Sequence, residues 1–445
     1  MNAELEHDPT PPRRVLLCMW EGGGTVPPEI GLGARLVERG HTVHVLGDPT
    51  IESEAVAAGC TFHSWVEAPY CTARSPEAAL VRDWEYKNPM KALHKYIDEF
   101  LCGPAPRYAR DTLSVIDDID ADVVLCDVVM IGSSMAAEAR GLPRIGLMPN
   151  IYILPTKGIP PMGPGFMPAR TVFGHTRDAV MRFASTKAFN SGTGLVNQAR
   201  SEIGLGPVES TIDQFLNVDR LAVMTSPSFD FETEHLPRHV RYVGPILDDP
   251  SWSTAASAVE WEAPWPVENT DPLVLVALSS SFQDQGEVIR RIVDALTTLP
   301  VRGLVTLGEQ LDPATFESRA NVVVVRAAPH TKVLQHAAAV VTHCGHGSAM
   351  KSLVAGVPLL CMPMGRDQND TAARVVARGA GKRLKCSDPP PKIAAALTEL
   401  LSDESYRHAA GALGARIQGE LSERDPADRV LDLLWECELT THQAI

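Results

Sequence analysis

Short apolar runs alternate with amphipathic, helix-spaced segments along most of the chain. RRVLLCMW at 13–20 is followed by the loop EGGGTVPPE, by apolar residues at helical spacing from Ile30 to Leu36, and by HTVHVLGD at 41–48. Strand, helix and strand in this order form a βαβ unit, which implies a parallel sheet. Because the same order recurs at 121–150, the first half of the chain is predicted to be a doubly wound α/β domain.

A second series of strands and helices begins at residue 272. Its predicted strands lie at 272–281, 302–308, 321–329, 339–345 and 358–364, and its predicted helices at 286–298, 331–338, 347–355 and 368–379. The stretch at 391–437 is predicted to be helical. The fold class is therefore α/β, with two facing Rossmann-like doubly wound domains. Ligands of open α/β sheets bind at the carboxyl ends of the strands, so we expect an inter-domain cleft to hold them.

Two segments rich in proline interrupt this rhythm. VGPILDDPSWSTAASAVEWEAPWPVENTDP at 243–272 has no periodicity and indicates a domain boundary. A long surface loop is predicted at 152–170, where the sequence is YILPTKGIPPMGPGFMPAR. Such a loop either lines a binding cleft or only connects two elements, and the sequence does not decide between the two. The expected parts are an N-terminal domain at 1–245, a linker at 246–271, a C-terminal domain at 272–424 and a last helix at 425–445.

Composition and charge exclude several classes of function. The 445 residues are 44% hydrophobic, and 40 basic against 55 acidic residues give a net charge of −15, which disfavours nucleic acid and anionic lipid surfaces. The polar start and the lack of a run of about 18 apolar residues predict a cytoplasmic protein without a membrane span. Nine scattered cysteines without a CxxC pair indicate reduced thiols rather than zinc or disulfides.

The stretch VVTHCGHGSAMKSLVAGVPLL contains a glycine-rich turn between a strand and a helix. Gly345 and Gly347 allow the backbone to turn, and Ser348 stands at the helix start. Such a turn directs free N–H groups and the positive end of the helix dipole at one point, which suits a phosphate. His343 is placed to add a hydrogen bond and, if protonated, a charge. A capped helix with a buried histidine is the alternative interpretation.

Asp367 and Gln368 follow the next predicted strand, so they are expected at the same edge of the sheet. A carboxylate accepts from two hydroxyls, and a carboxamide both donates and accepts, so the pair suits a vicinal diol. A phosphate site beside a diol site describes a nucleotide sugar.

At this point the sequence resembles a known family. The stretch at 327–368 looks like the donor-binding signature of nucleotide-sugar-dependent glycosyltransferases with the GT-B fold, the plant and actinobacterial small-molecule enzymes that include antibiotic glycosyltransferases. The matching positions are Pro329, Leu334, His336, Thr342, His343, Cys344, Gly345, Gly347, Ser348, Gly356, Val357, Pro358, Pro363, Asp367 and Gln368. The resemblance implies a C-terminal donor domain and an N-terminal acceptor domain, onto which the last helix packs back.

The resemblance also implies residue roles in the donor site. His343 and the turn from Gly345 to Ser348 would contact the diphosphate, and Asp367 and Gln368 the sugar hydroxyls. Further donor contacts are expected from Ser280, Ser281, Pro329, His330 and His346.

The chain departs from the plant signature at two positions of this site. The plant enzymes have a tryptophan at the position of Ala327 and a ribose-binding glutamate at that of Lys351. The donor is therefore expected to be either a UDP- or a dTDP-sugar. A dTDP-sugar lacks the 2′-hydroxyl, so its binding depends least on the glutamate.

The family's general base is missing. The family has a histidine in a Gly-His-x-x-Pro context after the first strand, partnered by an aspartate after a later strand. Here Gly24 stands in place of the histidine, while Asp127 matches the aspartate. We expect Asp127, or else Glu29 or Glu21 beside the glycine loop, to act as base. A carboxylate is a weak base for an alcohol, so an activated acceptor such as a phenol, an amine or an aromatic carbon is predicted.

The sequence predicts an inverting glycosyltransferase that moves a hexose or deoxyhexose from a UDP- or dTDP-sugar to an apolar or aromatic natural product. Expected acceptor contacts are Trp20, Gly24, Trp84 and Met90. No DxD triad is present, so no metal and no cofactor beyond the nucleotide sugar is expected, in a monomer or homodimer. The alternatives are a catalytically silent sugar-nucleotide-binding partner of a transferase, a sugar-nucleotide epimerase and, more remotely, a dinucleotide-dependent oxidoreductase.

Overall fold

Two parallel β-sheets form the frame of the computed structural model, which describes residues 11–86, 88–249, 261–279, 281–308 and 311–442. One sheet has seven strands and belongs to the N-terminal domain, and the other has six strands and belongs to the C-terminal domain. Both are covered by helices, as the alternation of apolar runs and amphipathic segments predicts.

The N-terminal sheet has the order β3-β2-β1-β4-β5-β6-β7, and every neighbouring pair is parallel. Its strands are β1 Arg14–Cys18, β2 Thr42–Gly47, β3 Thr61–Ser64, β4 Val123–Asp127, β5 Arg144–Met148, β6 Arg220–Val223 and β7 Val240–Tyr242. The order reverses between β1 and β4, so the crevice that binds ligands in such sheets opens where these two strands end. The last residue of β4 is Asp127.

The helices of this domain are α1 Val26–Glu38, α2 Glu52–Ala57, α3 Pro89–Tyr96, α4 Ala105–Ile119, α5 Ile131–Ala139, α6 Val172–Phe189, α7 Thr193–Glu202 and α8 Thr211–Leu216. Helix α1 begins earlier than the sequence predicts. The loop was expected to reach Glu29, but Pro27 and Pro28 form the first turn, where a missing backbone N–H costs nothing. Glu29 is consequently a helical residue that faces the core.

The C-terminal sheet has the order β10-β9-β8-β11-β12-β13 and is also parallel. Its strands are β8 Leu273–Ala277, β9 Arg302–Thr306, β10 Val322–Val325, β11 Ala337–Thr342, β12 Leu359–Cys361 and β13 Gly381–Arg383. The order reverses between β8 and β11, whose last residues Ala277 and Thr342 are in register. The loops after these two strands therefore share one site.

The helices of the C-terminal part are α9 Gly286–Thr297, α10 His330–Leu334, α11 His346–Val354, α12 Gln368–Ala377, α13 Pro390–Ser402, α14 Glu404–Glu423 and α15 Pro426–His442. Helix α10 is shorter than the predicted helix at 331–338. The run that follows it pairs with β8 from Ala337 onward, with an irregularity in the register between Ala337 and Ala339. Pairing with the central strand prevails over the helical pattern there.

Helix α15 lies against the N-terminal domain. Ala427, Val430 and Leu434 are buried in the same apolar cluster as Val15 of β1. Arg39 of α1 also binds Asp425, with 2.9 Å between Nη2 and Oδ1. The last helix thus ties the end of the chain to the first domain.

The loop at 152–170 crosses to the C-terminal domain. The carboxylate of Asp370 accepts hydrogen bonds from the backbone N–H groups of Gly163 at 2.6 Å and Gly165 at 2.9 Å. A buried ion pair of 2.6 Å between Asp230 and Arg374 joins the domains beside it. Residues 153–156 and 159–163 line the cleft, so the loop is more than a connection.

No helix among the described residues is long and apolar enough to cross a bilayer. Eight of the nine cysteines are buried, and Cys386 is partly exposed.

Candidate active site

A cleft of about 1360 Å³ separates the two domains and is lined by residues of both. The loops that follow β1 and β4 form one wall, and those that follow β8, β11 and β12 form the other. Each wall is therefore the ligand-binding edge of its sheet.

The glycine-rich turn forms the floor of the C-terminal wall. Gly345 precedes the first residue of α11, and the first amide bonded back along the helix is that of Ala349, to the carbonyl of Gly345 at 3.0 Å. The amides before it belong to the first turn, which a helix leaves without internal acceptors. Gly345, Gly347 and Ser348 line the cleft, and a Cβ at Gly347 would meet no atom within 4 Å. This end of α11 is open to an anionic group.

His343 lies beneath the turn. Burial, and then the positive charge of Arg366, lower the pKa of His343 to about 4. Its Nδ1 is buried and has no hydrogen-bond partner within the described ranges. The imidazole is therefore neutral near pH 7, so it supplies a hydrogen bond and not the charge that the sequence left open.

Asp367 and Gln368 line the cleft but are used differently. The side-chain oxygen of Gln368 accepts from the backbone N–H groups of Met364 at 2.8 Å and Gly365 at 3.2 Å, and its Nε2 donates to Gln283 at 2.9 Å. The carboxylate of Asp367 does not cap α12, and burial raises its pKa. Asp367 is thus available to hydroxyls, whereas Gln368 shapes the turn.

The remaining predicted donor residues are spread over the same wall. His330 lies in the cleft, with Nε2 3.0 Å from Oγ1 of Thr306. His346 also lines the cleft, and its Nε2 lies 2.7 Å from Oγ1 of Thr225 in the facing domain. Burial lowers the pKa of both histidines to about 4.

Three further positions complete the expected donor set. Ser281 reaches the cleft wall. Pro329 precedes α10 and is not a cleft residue, so its expected contact with the donor is not seen. Ser280 falls outside the described residues.

Lys351, which replaces the ribose-binding glutamate, is paired. Its ammonium binds the carboxylate of Asp249 at 2.6 Å and the carbonyl of Asp248 at 2.9 Å. Burial alone would raise the pKa of Asp249, but Lys351 and a hydrogen bond from Thr331 outweigh it and lower that pKa. Lys351 therefore belongs to an internal ion pair within the cleft wall.

Asp127 is the principal charged group of the opposite wall. Its Oδ2 accepts from Nε1 of Trp20 at 3.1 Å and its Oδ1 from the backbone N–H of Val129 at 3.0 Å. Burial raises the pKa of Asp127 to about 6, although these hydrogen bonds and one from Glu29 oppose the rise. The carboxylate is ionised at neutral pH and more basic than a free one.

Glu29 lies behind Asp127, fully buried and away from the cleft surface. Neither of its oxygens meets a donor among the described residues. Burial, and then the charge of Asp127, raise the pKa of Glu29 well above its usual range. Burial and the neighbouring negative charge of Asp127 thus both favour the protonated form of Glu29.

Glu21 is the third predicted base, and its carboxylate is already occupied. It accepts from Nε of Arg74 at 2.8 Å and from the hydroxyl of Thr50 at 3.1 Å. Because Arg74 and Thr50 already engage the Glu21 carboxylate, Asp127 is the better placed candidate base.

The predicted acceptor residues divide in two. Trp20, Gly24 and Trp84 line the cleft, and a Cβ at Gly24 would meet nothing within 4 Å. Met90 is 48% exposed and is not among the lining residues. Tyr96 of α3 lines the cleft instead, and the contact of Met90 with the acceptor stays a prediction.

Arg366 and Asp83 form a cross-cleft ion pair that the sequence prediction did not include. Nε and Nη2 of Arg366 bind the two oxygens of Asp83 at 2.8 and 3.1 Å. Arg366 adopts a left-handed backbone with φ of 54°. Its place directly before Asp367 was the available signal, whereas nothing in the sequence links it to Asp83.

Comparison with known proteins supports this geometry. A model of the C-terminal domain of erythromycin biosynthesis protein CIII-like proteins matches residues 290–434. The chain is 26% identical over 426 residues to 4′-demethylrebeccamycin synthase of Lentzea aerocolonigenes, covering 95% of this chain and 98% of that protein.

Solved structures show the same two-domain fold. The calicheamicin glycosyltransferase CalG4 superposes with a TM-score of 0.71 at 22% identity, over 96% of this chain and 99% of that one. The glycosyltransferase VinC, solved in complex with dTDP, gives a TM-score of 0.64 at 20% identity, over 96% and 99%. These likenesses confirm the fold class inferred from the sequence.

Proposed function

We propose that this chain, a natural-product glycosyltransferase with the GT-B fold, inverts the anomeric centre of a hexose or deoxyhexose as it moves the sugar from UDP or dTDP to an apolar aromatic acceptor. The observation that carries the proposal is the open N-terminus of α11 with the free carboxylate of Asp367 beside it. A diphosphate fits the first and sugar hydroxyls fit the second.

The chemistry follows from the two facing walls. Asp127 takes the proton of the acceptor nucleophile, which attacks the anomeric carbon while the bond from that carbon to the diphosphate oxygen breaks. Attack from the acceptor wall on a sugar held by the opposite wall is a single displacement, so the configuration inverts. The first-turn amides of α11 and the His343 imidazole stabilise the departing diphosphate.

The basicity of Asp127 limits the acceptor. With a pKa of about 6, the carboxylate is matched to a nucleophile whose own proton is acidic, such as a phenol. Trp20, Trp84, Tyr96 and Phe100 line the acceptor side. Flat aromatic compounds fit a wall of this kind.

The ion pair of Lys351 bears on which nucleotide the donor carries. Because its ion pair with Asp249 occupies the side where other enzymes bind ribose hydroxyls, the site offers no free carboxylate for a 2′-hydroxyl. This arrangement favours a dTDP-sugar over a UDP-sugar, and the structural neighbour VinC was solved with dTDP.

A second candidate function is supported by one observation. The Asp127 carboxylate is only 2% exposed and Trp20 covers one of its oxygens. A protein that binds sugar nucleotides without turning them over, and so assists another transferase, fits that arrangement. Such a protein would bind donor and show no transfer with any acceptor.

A donor and acceptor screen tests the proposal. The full chain is incubated with a panel of UDP- and dTDP-sugars, first alone and then with phenolic acceptors, and the products are identified by mass spectrometry. We expect a glycosylated phenol and free nucleoside diphosphate from a dTDP-sugar. Asp294→Asn, an exposed change in the same domain and outside the cleft, serves as control for Asp367→Asn, which should reduce transfer. Donor binding without transfer would favour the second candidate, and no binding of any nucleoside diphosphate would refute both.

A further inference from the structure

We infer that Arg366 binds the diphosphate of the donor and that Asp83 of the facing domain competes with the donor for this arginine. The inference rests on the proposed function, because it takes a nucleoside diphosphate sugar as the ligand. Arg366 would be a phosphate-binding residue that is not among the positions matching the family signature. The turn that holds Asp83 would then influence the affinity for the donor.

The position of Arg366 places its guanidinium over the phosphate site. Nη1 donates to the hydroxyl of Ser281 at 3.0 Å, and that hydroxyl lies 3.1 Å from the hydroxyl of Ser279. These serines follow β8, and His343 follows β11, its neighbour in the sheet. The guanidinium is also near enough to His343 to disfavour protonation of the imidazole. Arg366 thus contacts one of the two loops that cradle the diphosphate and faces the other.

Charge balance singles out Arg366. His343, His330 and His346 are neutral near pH 7, so they contribute no positive charge. A helix N-terminus supplies roughly half an elementary charge, less than a diphosphate carries. Among the described cleft residues of the C-terminal domain, the permanent cations are Arg326, Lys351 and Arg366.

The other two cations are less suited to bind the phosphates. Lys351 is bound to Asp249. Arg326 stands next to Ala327, the position that faces the nucleobase in the plant signature. Arg366 is therefore the cation that remains for the phosphates.

The pair with Asp83 is suited to exchange. Arg366 and Asp83 are 30% and 28% exposed, so water reaches both partners and neither would be left buried without the other. Asp83 engages the guanidinium through two parallel hydrogen bonds, and a phosphate offers the same geometry with more negative charge. A second contact, between the rings of Trp84 and Phe282 at 5.3 Å, joins the turn that holds Asp83 to the loop after β8 and does not involve Arg366.

Calorimetric titration of the full chain with dTDP, UDP and thymidine tests the inference. Asp83→Asn is expected to tighten dTDP binding about fivefold, the factor that corresponds to ~1 kcal/mol for a partly exposed ion pair. Arg366→Gln is expected to weaken dTDP binding tenfold or more, on the order expected for a lost charged hydrogen bond, and Arg366→Lys should recover part of the loss. Thymidine, which has no phosphate, should bind equally to all variants.

The matched control is Glu85→Gln, which removes one negative charge from an exposed residue of the same turn and should leave dTDP binding unchanged. Unchanged or weaker dTDP binding by Asp83→Asn would overturn the inference, as would equal effects of Arg366→Gln on thymidine and dTDP. Circular dichroism of each variant shows whether it is folded, and Arg366→Lys carries the test if Arg366→Gln is not. A parent protein that binds neither dTDP nor UDP would instead refute the proposed function.

Discussion

The indole Nε1 of Trp20 donates a hydrogen bond of 3.1 Å to Oδ2 of Asp127. The sequence resemblance predicts a histidine partner for this aspartate at the position where Gly24 stands. The indole is a donor only, so it stabilises the ionised carboxylate but takes no proton from an acceptor. Proton removal on this wall is therefore assigned to Asp127 itself, with Glu29 behind it.

Replacing Asp127 with asparagine should abolish most of the transfer without affecting donor binding. General-base catalysis contributes about 10²–10⁴-fold, so we expect kcat with a phenolic acceptor to fall by that order. The dissociation constant of dTDP should stay the same, because Asp127 belongs to the wall opposite the diphosphate site. Steady-state kinetics and calorimetry measure the two quantities.

Asp118→Asn is the matched control for Asp127→Asn. It makes the same chemical change at an exposed position of α4 outside the cleft, so kcat should not change. If Asp127→Asn retained the turnover of Asp118→Asn, Asp127 would not be the base.

The rate should rise with pH through the pKa of Asp127. The base acts when it is ionised, and its pKa of about 6 means that kcat increases from acid to neutral pH and then levels off. Trp20→Phe keeps the ring but removes the donor that stabilises the ionised form, so the midpoint of the profile should move to higher pH. A midpoint that stayed in place, or moved to lower pH, would argue against Asp127 as the titrating group.

Glu29 should make the stability of the protein depend on pH. Its pKa is raised in the folded state, so it keeps a proton that the unfolded chain releases above about pH 4.3. The free energy of unfolding therefore falls as the pH rises toward the folded-state pKa of Glu29, by up to ~1.4 kcal/mol per pH unit. Glu29→Gln removes the titration, so its melting temperature relative to the parent should increase from about pH 5 to about pH 8.

Thermal unfolding followed by circular dichroism at several pH values measures this difference. Glu52→Gln, an exposed change at the start of α2, should differ from the parent in melting temperature by the same amount at every pH. If the difference in melting temperature between Glu29→Gln and the parent were also the same at every pH, Glu29 would be ionised in the folded protein.

The frame of the fold was predictable because strand and helix periodicities differ and alternate. The buried runs at 123–126 and 145–148 became β4 and β5 with shifts of one residue at an end. The start of α1 was missed because Pro27 and Pro28 were assigned to the loop, although proline is favoured in a first turn. The end of α10 was missed because pairing with β8 depends on residues far away in sequence.

The residues of the C-terminal wall were easier to group from the sequence than those of the N-terminal wall, and for a physical reason. The candidate phosphate and sugar contacts come from one short stretch, so the spacing of His343, Gly345 and Asp367 carries the geometry. The neutrality of His343 and the partners of Gln368 depend on burial and on local packing, which spacing does not reveal. Residues of the cross-cleft pair are 283 positions apart, so no local pattern joins Asp83 to Arg366.

Two donor-site variants should separate sugar recognition from phosphate recognition. Asp367→Asn should weaken binding of a dTDP-sugar about tenfold or more while leaving dTDP itself unaffected, because its carboxylate is available to hydroxyls. His343→Ala should weaken both ligands, since its imidazole lies beneath the phosphate turn. Competition between dTDP and dTDP-sugar in calorimetry measures the two effects.

Asp367→Asn is expected to affect binding of the dTDP-sugar alone, whereas His343→Ala is expected to affect both ligands. Because the pKa of His343 is about 4, the affinity of the parent for dTDP should not fall as the pH rises from about 6 to about 8 on account of this residue. Equal losses for dTDP and the sugar nucleotide in Asp367→Asn would place Asp367 at the phosphates instead of the sugar.

Gly24→His should broaden the acceptor range. A Cβ at position 24 meets no atom within 4 Å, and Gly24 does not have the left-handed backbone that would disfavour a side chain, so the backbone there accepts a residue other than glycine. An imidazole held near Asp127 is a better base for an alcohol than the carboxylate alone. We expect transfer to an aliphatic alcohol to increase at least about tenfold, and more in Trp20→Phe/Gly24→His, where the indole no longer occupies Oδ2 of Asp127.

Gly24→Phe provides a ring of similar size without a base and should give no increase with the alcohol. If Gly24→His and Gly24→Phe behaved alike in folded protein, the shape of the cleft and not the missing imidazole would limit the acceptor. If only the histidine variants gained activity, the replacement of histidine by Gly24 would be the feature that restricts this enzyme to acidic nucleophiles. The product analysis then also reports the linkage atom, because an alcohol accepts the sugar only through oxygen.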